Sequence, residues 1–238
     1  MERDIRFNRE RMMAAANYYG SKGITPQTAQ IRIEVPLETG RGTYEFDIKK
    51  AVVIGGTEKA IKNNDLFVCR AIGMALMVEA DNAKGTAPLL SYPMQDGLHL
   101  PTGLKGFANT NPFALYNGVL TLKTDQNVNF SGFPTSHFLH IPQTQPVGLL
   151  DSTDAVVSSG ILPEFKMEHV LYELPEMLIF AGNHDNQLKL DAPVASGVTL
   201  AGPAGSTSKV VFIAEGWLYA QGAQDKFKDG SNPLKEAI

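Results

Sequence analysis

The sequence predicts an all-β protein: a β-sandwich of the jelly-roll type, as one large or two small sandwiches, with an N-terminal helix. Three observations carry that expectation. Apolar and polar residues alternate one by one over several short stretches, the period of a half-buried strand. Turn residues, with 22 glycines and 14 prolines in 238 positions, separate those stretches. After residue 65 no helical pattern of a dozen residues appears, and a parallel α/β sheet needs one between successive strands.

The elements follow in order. Residues 3–19 are rich in helix formers, Met12 to Ala16 above all, and Gly20 stands where such a helix would end. Arg3, Arg6 and Arg9 recur every third residue with Glu2, Asp4 and Glu10 among them, the pattern of a solvated helix face with local ion pairs. Residues 1–23 are therefore expected to form a helical arm, joined to the body by a flexible Gly20-Ser21-Lys22-Gly23 link. The body is expected over 24–224, and 225–238 as a polar tail.

Within the body, Gln30 to Val35 and Thr43 to Ile48 alternate and read as a hairpin-like pair with a long loop. Residues 57–64 suggest one or two helical turns. Leu66 to Glu79 is almost wholly apolar and reads as a long central strand, with Leu66, Val68, Ile72, Met74, Leu76 and Val78 on one face. Pro88, Pro93, Pro101 and Pro112 exclude long elements between 80 and 113. Strands are expected again at Val119 to Lys123, Asn127 to Phe130, His137 to Ile141, Phe165 to Leu174, Met177 to Ala181, Leu188 to Leu190, Val198 to Leu200 and Lys209 to Ala220.

Composition narrows function. Hydrophobic residues make up 43% and charged residues 19%, which is globular with a weakly charged surface. A net charge of −4 gives no bulk attraction for nucleic acid, which is not expected as a specific ligand. The single cysteine, Cys69, sits in the apolar run 66–78; no internal disulfide can form, and a buried small hydrophobe is the simplest reading. The N-terminus lacks an apolar core segment and is not expected to act as a signal peptide. No run of about 18 apolar residues suggests a membrane span.

No motif assembles a catalytic site. Phosphate loops, dinucleotide fingerprints and the nucleophile elbow have no match. Glu164 and Glu168 are too generic a pair for a glycosidase, and His99 and His169 stand apart. His137 and His140, three apart on a strand, would point to opposite faces, a poor arrangement for sharing a metal. Gly182-Asn183-His184-Asp185 follows the apolar run 177–181 and resembles the GNHD block of calcineurin-like metallophosphoesterases. That family supplies further ligands from D-x-H and G-D-x-x-D blocks, which are missing here; Asp96-Gly97-Leu98-His99 is one residue too long. The string reads as a β-turn. The expectation is no enzyme, no cofactor and no metal.

The texture as a whole resembles structural proteins of bacteriophage and other viral particles. The residues that carry this are the N-terminal arm from Ile5 to Tyr19 and the low-charge strands. Loops such as Asn109-Thr110-Asn111-Pro112 and the closing strand Val210 to Tyr219 add to it. The resemblance implies a jelly-roll capsid or capsid-associated subunit found in the virion and assembled in the host cytoplasm. Such a subunit would form homo-oligomers and meet other virion proteins through its loops and its arm, with Arg3, Arg6, Arg9, Tyr18 and Tyr19 as interface residues. The alternative is a carbohydrate- or surface-binding sandwich using Tyr92, Asn109 and Asn111, and a third reading is a metal-dependent phosphoesterase built on Asn183 and His184.

Overall fold

The computed structural model describes residues 10, 13–14, 16–48, 60–82, 84–85, 87, 89–90, 113–125, 127–140, 170–194 and 205–225. Eight strands dominate them: β1 (Gln27–Pro36), β2 (Thr43–Asp47), β3 (Leu66–Ala80), β4 (Val119–Thr124), β5 (Asn127–Pro134), β6 (Leu171–Ala181), β7 (Asn186–Asp191) and β8 (Ser206–Tyr219). The expected all-β character is what the structure has. The strands form two antiparallel four-stranded sheets, ordered β1-β8-β3-β6 and β2-β7-β4-β5.

Both sheets contribute to one core. Ile31, Ile33, Met74, Leu76, Val210 and Phe212 of the first sheet pack with Tyr44, Phe46, Leu120, Leu122, Leu188 and Leu190 of the second. The Phe46 and Phe212 rings meet across the gap at 5.7 Å. The strands therefore make one two-sheet unit and not two small sandwiches. Each fully buried aliphatic side chain contributes roughly 1.5–3 kcal/mol, so this shared layer dominates the favourable side of folding.

Composition explains why β3 and β8 are central. Every residue of β3 except Arg70 and the terminal Ala80 is buried, and β8 is buried from Val210 to Ala214. A strand covered on both faces reads as a continuous apolar run. β2, β4 and β7 alternate instead, because only one of their faces meets the core.

Several expectations need correction. Gln30 to Val35 and Thr43 to Ile48 do not make a hairpin: β1 pairs with β8 and β2 with β7, so the chain crosses between sheets at 37–42. Both strands are apolar on one face, and pairing with distant strands buries those faces against the same core. The face assignment of β3 is also split. A register shift between Cys69 and Ala71 inserts one extra residue, so Phe67 and Cys69 join Ile72, Met74, Leu76 and Val78 in the core, while Leu66 and Val68 turn outward. The two runs expected at 165–174 and 177–181 belong in part to the single strand β6, which carries Pro175 within it; residues 165–169 lie outside the described ones. β6 is an edge strand, where a proline breaks no ladder on its free side.

The strand expected from His137 to Ile141 does not form over 137–140, and Ile141 lies outside the described residues. Thr135–Phe138 forms a 3-10 turn after Pro134. The Thr135 hydroxyl donates to the carbonyls of Leu115 (2.7 Å) and Gly118 (2.9 Å), anchoring this turn to the short helix Phe113–Tyr116. At the N-terminus, residues 16–21 are helical, so the helix runs past Gly20. Gly23 takes φ +76°. Ile24 N–H donates to Tyr19 O (2.9 Å) and Gly23 N–H to Gly20 O (3.0 Å), the paired bonds of a Schellman cap. Residues 20–23, expected as a flexible link, are thus a hydrogen-bonded helix terminus. The helical turns expected at 57–64 do not form over 60–64, which run as irregular chain into a turn at Asn63 and Asn64; 57–59 and the strand expected at 198–200 lie outside the described residues, as does the tail beyond Asp225.

Candidate interaction surface

The outward face of the first sheet is apolar and covered. Near the N-terminal segment, Leu66 and Val68 of β3, Ala181 of β6 and Tyr219 of β8 pack with Tyr19 and Ala223. Tyr19 is 1% exposed, and its ring lies 4.5 Å from that of Tyr219. Ile24, next to the helix cap, packs on the same cluster, as the cap geometry favours. Further along, Ala75 and Met77 pack with Val211, Ile213 and Leu89. Arg70, the extra residue of the bulge, stands between Leu66–Val68 and Ala75–Met77 in the chain and pairs with Glu215 at 3.3 Å.

Of the interface residues expected from sequence, Tyr19 is buried inside its own chain and has no surface to offer a neighbour. Tyr18 is half-exposed; its ring meets Tyr19 edge-on, and the Lys22 ammonium lies 3.0 Å from its hydroxyl. Arg3, Arg6 and Arg9 lie outside the described residues. Met13, 57% exposed, is the large apolar side chain most open to solvent among the described residues.

At the end of this face, four charges sit together. Lys209 of β8 reaches Glu79 of β3 (2.6 Å) and Glu34 of β1 (2.9 Å), and Arg32 reaches Glu34 (2.8 Å). The Glu34 and Glu79 side chains are 3% and 5% exposed. Glu79 also accepts the backbone N–H of Gly85. Burial pushes the Glu79 carboxyl up, but the Lys209 and Gly85 hydrogen bonds outweigh it and hold it below the usual carboxylate range. Burial likewise opposes the charge on Lys209, and the two carboxylates reverse that and raise its pKa. Sequence reasoning did not reach this cluster. Its only local signal is charge at the ends of apolar runs, Glu79 closing one and Lys209 opening another.

The outward face of the second sheet is polar. Thr43, Glu45 and Asp47 of β2 stand beside Gln187, Lys189 and Asp191 of β7, then Thr121 and Lys123 of β4. Thr43 donates to Asp191 (2.8 Å), which also pairs with Lys189 (3.0 Å). Val119 and Val128 are its exposed apolar members.

The Gly182-Asn183-His184-Asp185 string is the β6–β7 turn, as its residues suggested. His184 N–H closes it on Ala181 O at 3.0 Å. A Cβ at Gly182 would lie 1.8 Å from the Lys62 carbonyl oxygen, so only glycine fits there. His184 pairs with Asp125 of the β4–β5 turn, and Asp125 also accepts from Asp185 N–H at 2.9 Å. Asp125 has φ 53°, as the first position of a two-residue hairpin requires. The string thus ties two turns together. Among the described residues no group of three or more His, Cys, Asp or Glu side chains is placed to hold a metal. Cys69 is buried, and burial raises its thiol far above the usual range. Comparison of the chain with protein-family models, with curated proteins and with solved structures gave no match.

One further cluster lies where edge strands β5 and β6 end the two sheets. The Phe133 ring stands 5.2 Å from Tyr172 and 5.7 Å from both Phe130 and Phe138. His137, exposed, lies 4.8 Å from Tyr172 and 5.3 Å from Phe133. His140 is half-exposed beyond it. Tyr92, Asn109, Asn111, His99, His169, Glu164 and Glu168 lie outside the described residues. Among the described residues no helix is long and apolar enough to cross a membrane.

Proposed function

We propose that this chain is a structural subunit of a virus particle, folded as a jelly roll and assembling with other copies of itself. The observation that carries the reading is the strand pairing. β1 pairs with β8, β2 with β7, β3 with β6 and β4 with β5. That is one long eight-stranded hairpin, folded over so that alternate pairs enter opposite sheets. Two sheets wound in this manner make a jelly roll, an architecture used by viral capsid, lectin and cupin domains. The low charge, the Asn-, Thr- and Pro-rich loops and the helical N-terminal segment favour the capsid use among these.

The buried position of Tyr19 changes which part of the arm would reach a neighbour. Residues from Tyr19 onward belong to the subunit's own fold, so the inter-subunit device is the part before it, where Met13 is exposed. Size-exclusion chromatography and electron microscopy of the purified protein test the proposal. The full chain should form large, regular assemblies. Removal of residues 1–13 should leave a folded subunit that no longer assembles, whereas removal of 1–20 should also damage the fold. A full-length chain that stays monomeric at high concentration overturns the reading.

The second reading, a carbohydrate-binding sandwich, is favoured by the cluster around Phe133, His137 and Tyr172. Partly exposed rings can stack on the apolar face of a sugar. A glycan array tests it: binding should appear and be lost on Tyr172→Ala. An array with no signal removes it.

A further inference from the structure

Beyond Gly73, where β6 stops pairing, the free edge of β3 is taken up by a returning segment of chain. Leu90 bridges Leu76 with two backbone hydrogen bonds, 2.7 and 2.8 Å. Leu89 turns outward onto Ala75, Met77, Val211 and Ile213, and Leu90 turns into the core. Asp81, at the start of this strap, is bound by Gly205 O through its N–H (3.1 Å) and by the Thr207 hydroxyl (3.0 Å). Between these anchors Ala87 packs on the same outward cluster, and Gly85 donates its N–H to the buried Glu79 carboxylate.

That carboxylate is shared. One oxygen holds the strap and the other holds Lys209, which is in turn held by Glu34, itself paired with Arg32. We propose that Glu79 is a latch: with its carboxylate charged the strap lies closed along β3, and with the charge removed the strap opens locally while the two-sheet core stays folded. The physical reason is that the four charges are balanced two against two. A neutral Glu79 leaves the part-buried Lys209 cation with one carboxylate alone and weakens the strap's bond at the same time. Among the described residues of the strap the other polar ties are those of Asp81 and Leu90 at its ends, and segments held at few points open below the global unfolding limit.

The sign follows from the same contacts. The groups facing Glu79 are Lys209, Glu34 and the Gly85 N–H, with Arg32 behind Glu34. The cation and the N–H favour its charged form more than Glu34 and burial oppose it. The closed state is therefore complete above the ordinary carboxylate range, about pH 4.3, and is lost as pH falls through the lower folded value. The rise in Lys209 works at the other limit: its contribution is complete below the ordinary lysine value, about 10.4, and fades as pH rises through the higher folded one.

Hydrogen exchange on the intact chain reads this directly. In Glu79→Leu the amides of Leu76 and Leu90 should lose about tenfold or more of their protection, the scale of a hydrogen bond to a charged group. Amides of β4 and β7 should keep theirs. In the parent chain, protection at Leu76 and Leu90, corrected for intrinsic exchange, should fall in acid before that of β4 and β7. Glu79→Gln is near-isosteric and guards against a variant that does not fold; its strap should be open at neutral pH and no longer respond to acid. The latch is overturned if strap and core amides of the parent lose protection together, or if Glu79→Gln keeps the parent's acid response.

Discussion

The two sheets differ most in what lies outside them. Both face the same core with apolar side chains. Outward, the first presents Leu66, Val68, Met77, Val211 and Ile213, all buried, while the second presents Glu45, Asp47, Lys123 and Gln187, all exposed. The first is an inner layer, closed by the N-terminal segment, the short helix Gly222–Asp225 through Ala223, and the strap at Leu89. The second is a wall with solvent on one side. Substitutions outside the first sheet should therefore behave like core substitutions, and those outside the second like surface ones.

The largest effect is expected where charge is buried on the first face. Lys209→Ala leaves Glu34 and Glu79 without their shared cation and should destabilise by about 3–5 kcal/mol. Chemical denaturation measures it, and a loss under 1 kcal/mol would show that water reaches the cluster freely.

Tyr19→Ala comes next. It removes a buried ring from the cover over Leu66, Val68 and Tyr219 and should cost about 3 kcal/mol or more, with Tyr19→Phe far milder. If Tyr19→Ala unfolds at the parent's denaturant midpoint, the cover contributes nothing and the two outer faces are alike in energy.

Acid sharpens the contrast. Glu79 on the first face and Asp191 on the second are both carboxyls held below their usual range. In Asp191 burial opposes the shift, and the Thr43 and Lys189 contacts overcome it. A lowered folded pKa contributes stability above the unfolded value and loses it as pH falls through the folded one. Stability should hold down to about pH 5 and decline below pH 4. Glu79→Gln should flatten that decline more than Asp191→Asn, because the Asp191 side chain is 40% exposed and screened by solvent. Equal flattening by the two would contradict the assignment of inner layer and outer wall.

The smallest effect belongs to the second face itself. Thr121→Ala and Lys123→Ala should each stay within about 0.5 kcal/mol. If the proposed assembly forms, a larger loss at either position in it, but not in the isolated subunit, would mark that face as an interface between copies.

Much of this contrast is written in the residues. Alternation in Thr43 to Ile48 and Leu188 to Leu190 marks strands with one wet face, and the run 66–78, apolar but for Arg70, marks β3 as a strand with almost none. Period and apolar content are local properties, so the existence of these strands, the all-β class and the turn at Gly182 to Asp185 were all legible. Of the helix expected at 3–19, the described part ends at Ser21 and not before Gly20, and its cap was not legible, since Ile24, which donates to Tyr19 O, also packs on a cluster built from distant strands. The neighbours of each strand were not legible. β1 and β2 are close in sequence and lie in different sheets because their partners, β8 and β7, come from the far end of the chain. The bulge at Arg70, which turns Leu66 and Val68 outward, answers a demand of two flanking strands at once. The Glu34–Lys209–Glu79 cluster joins residues from three strands. Pairing, face and charge contact are non-local, and only the burial of distant segments against one another decides them.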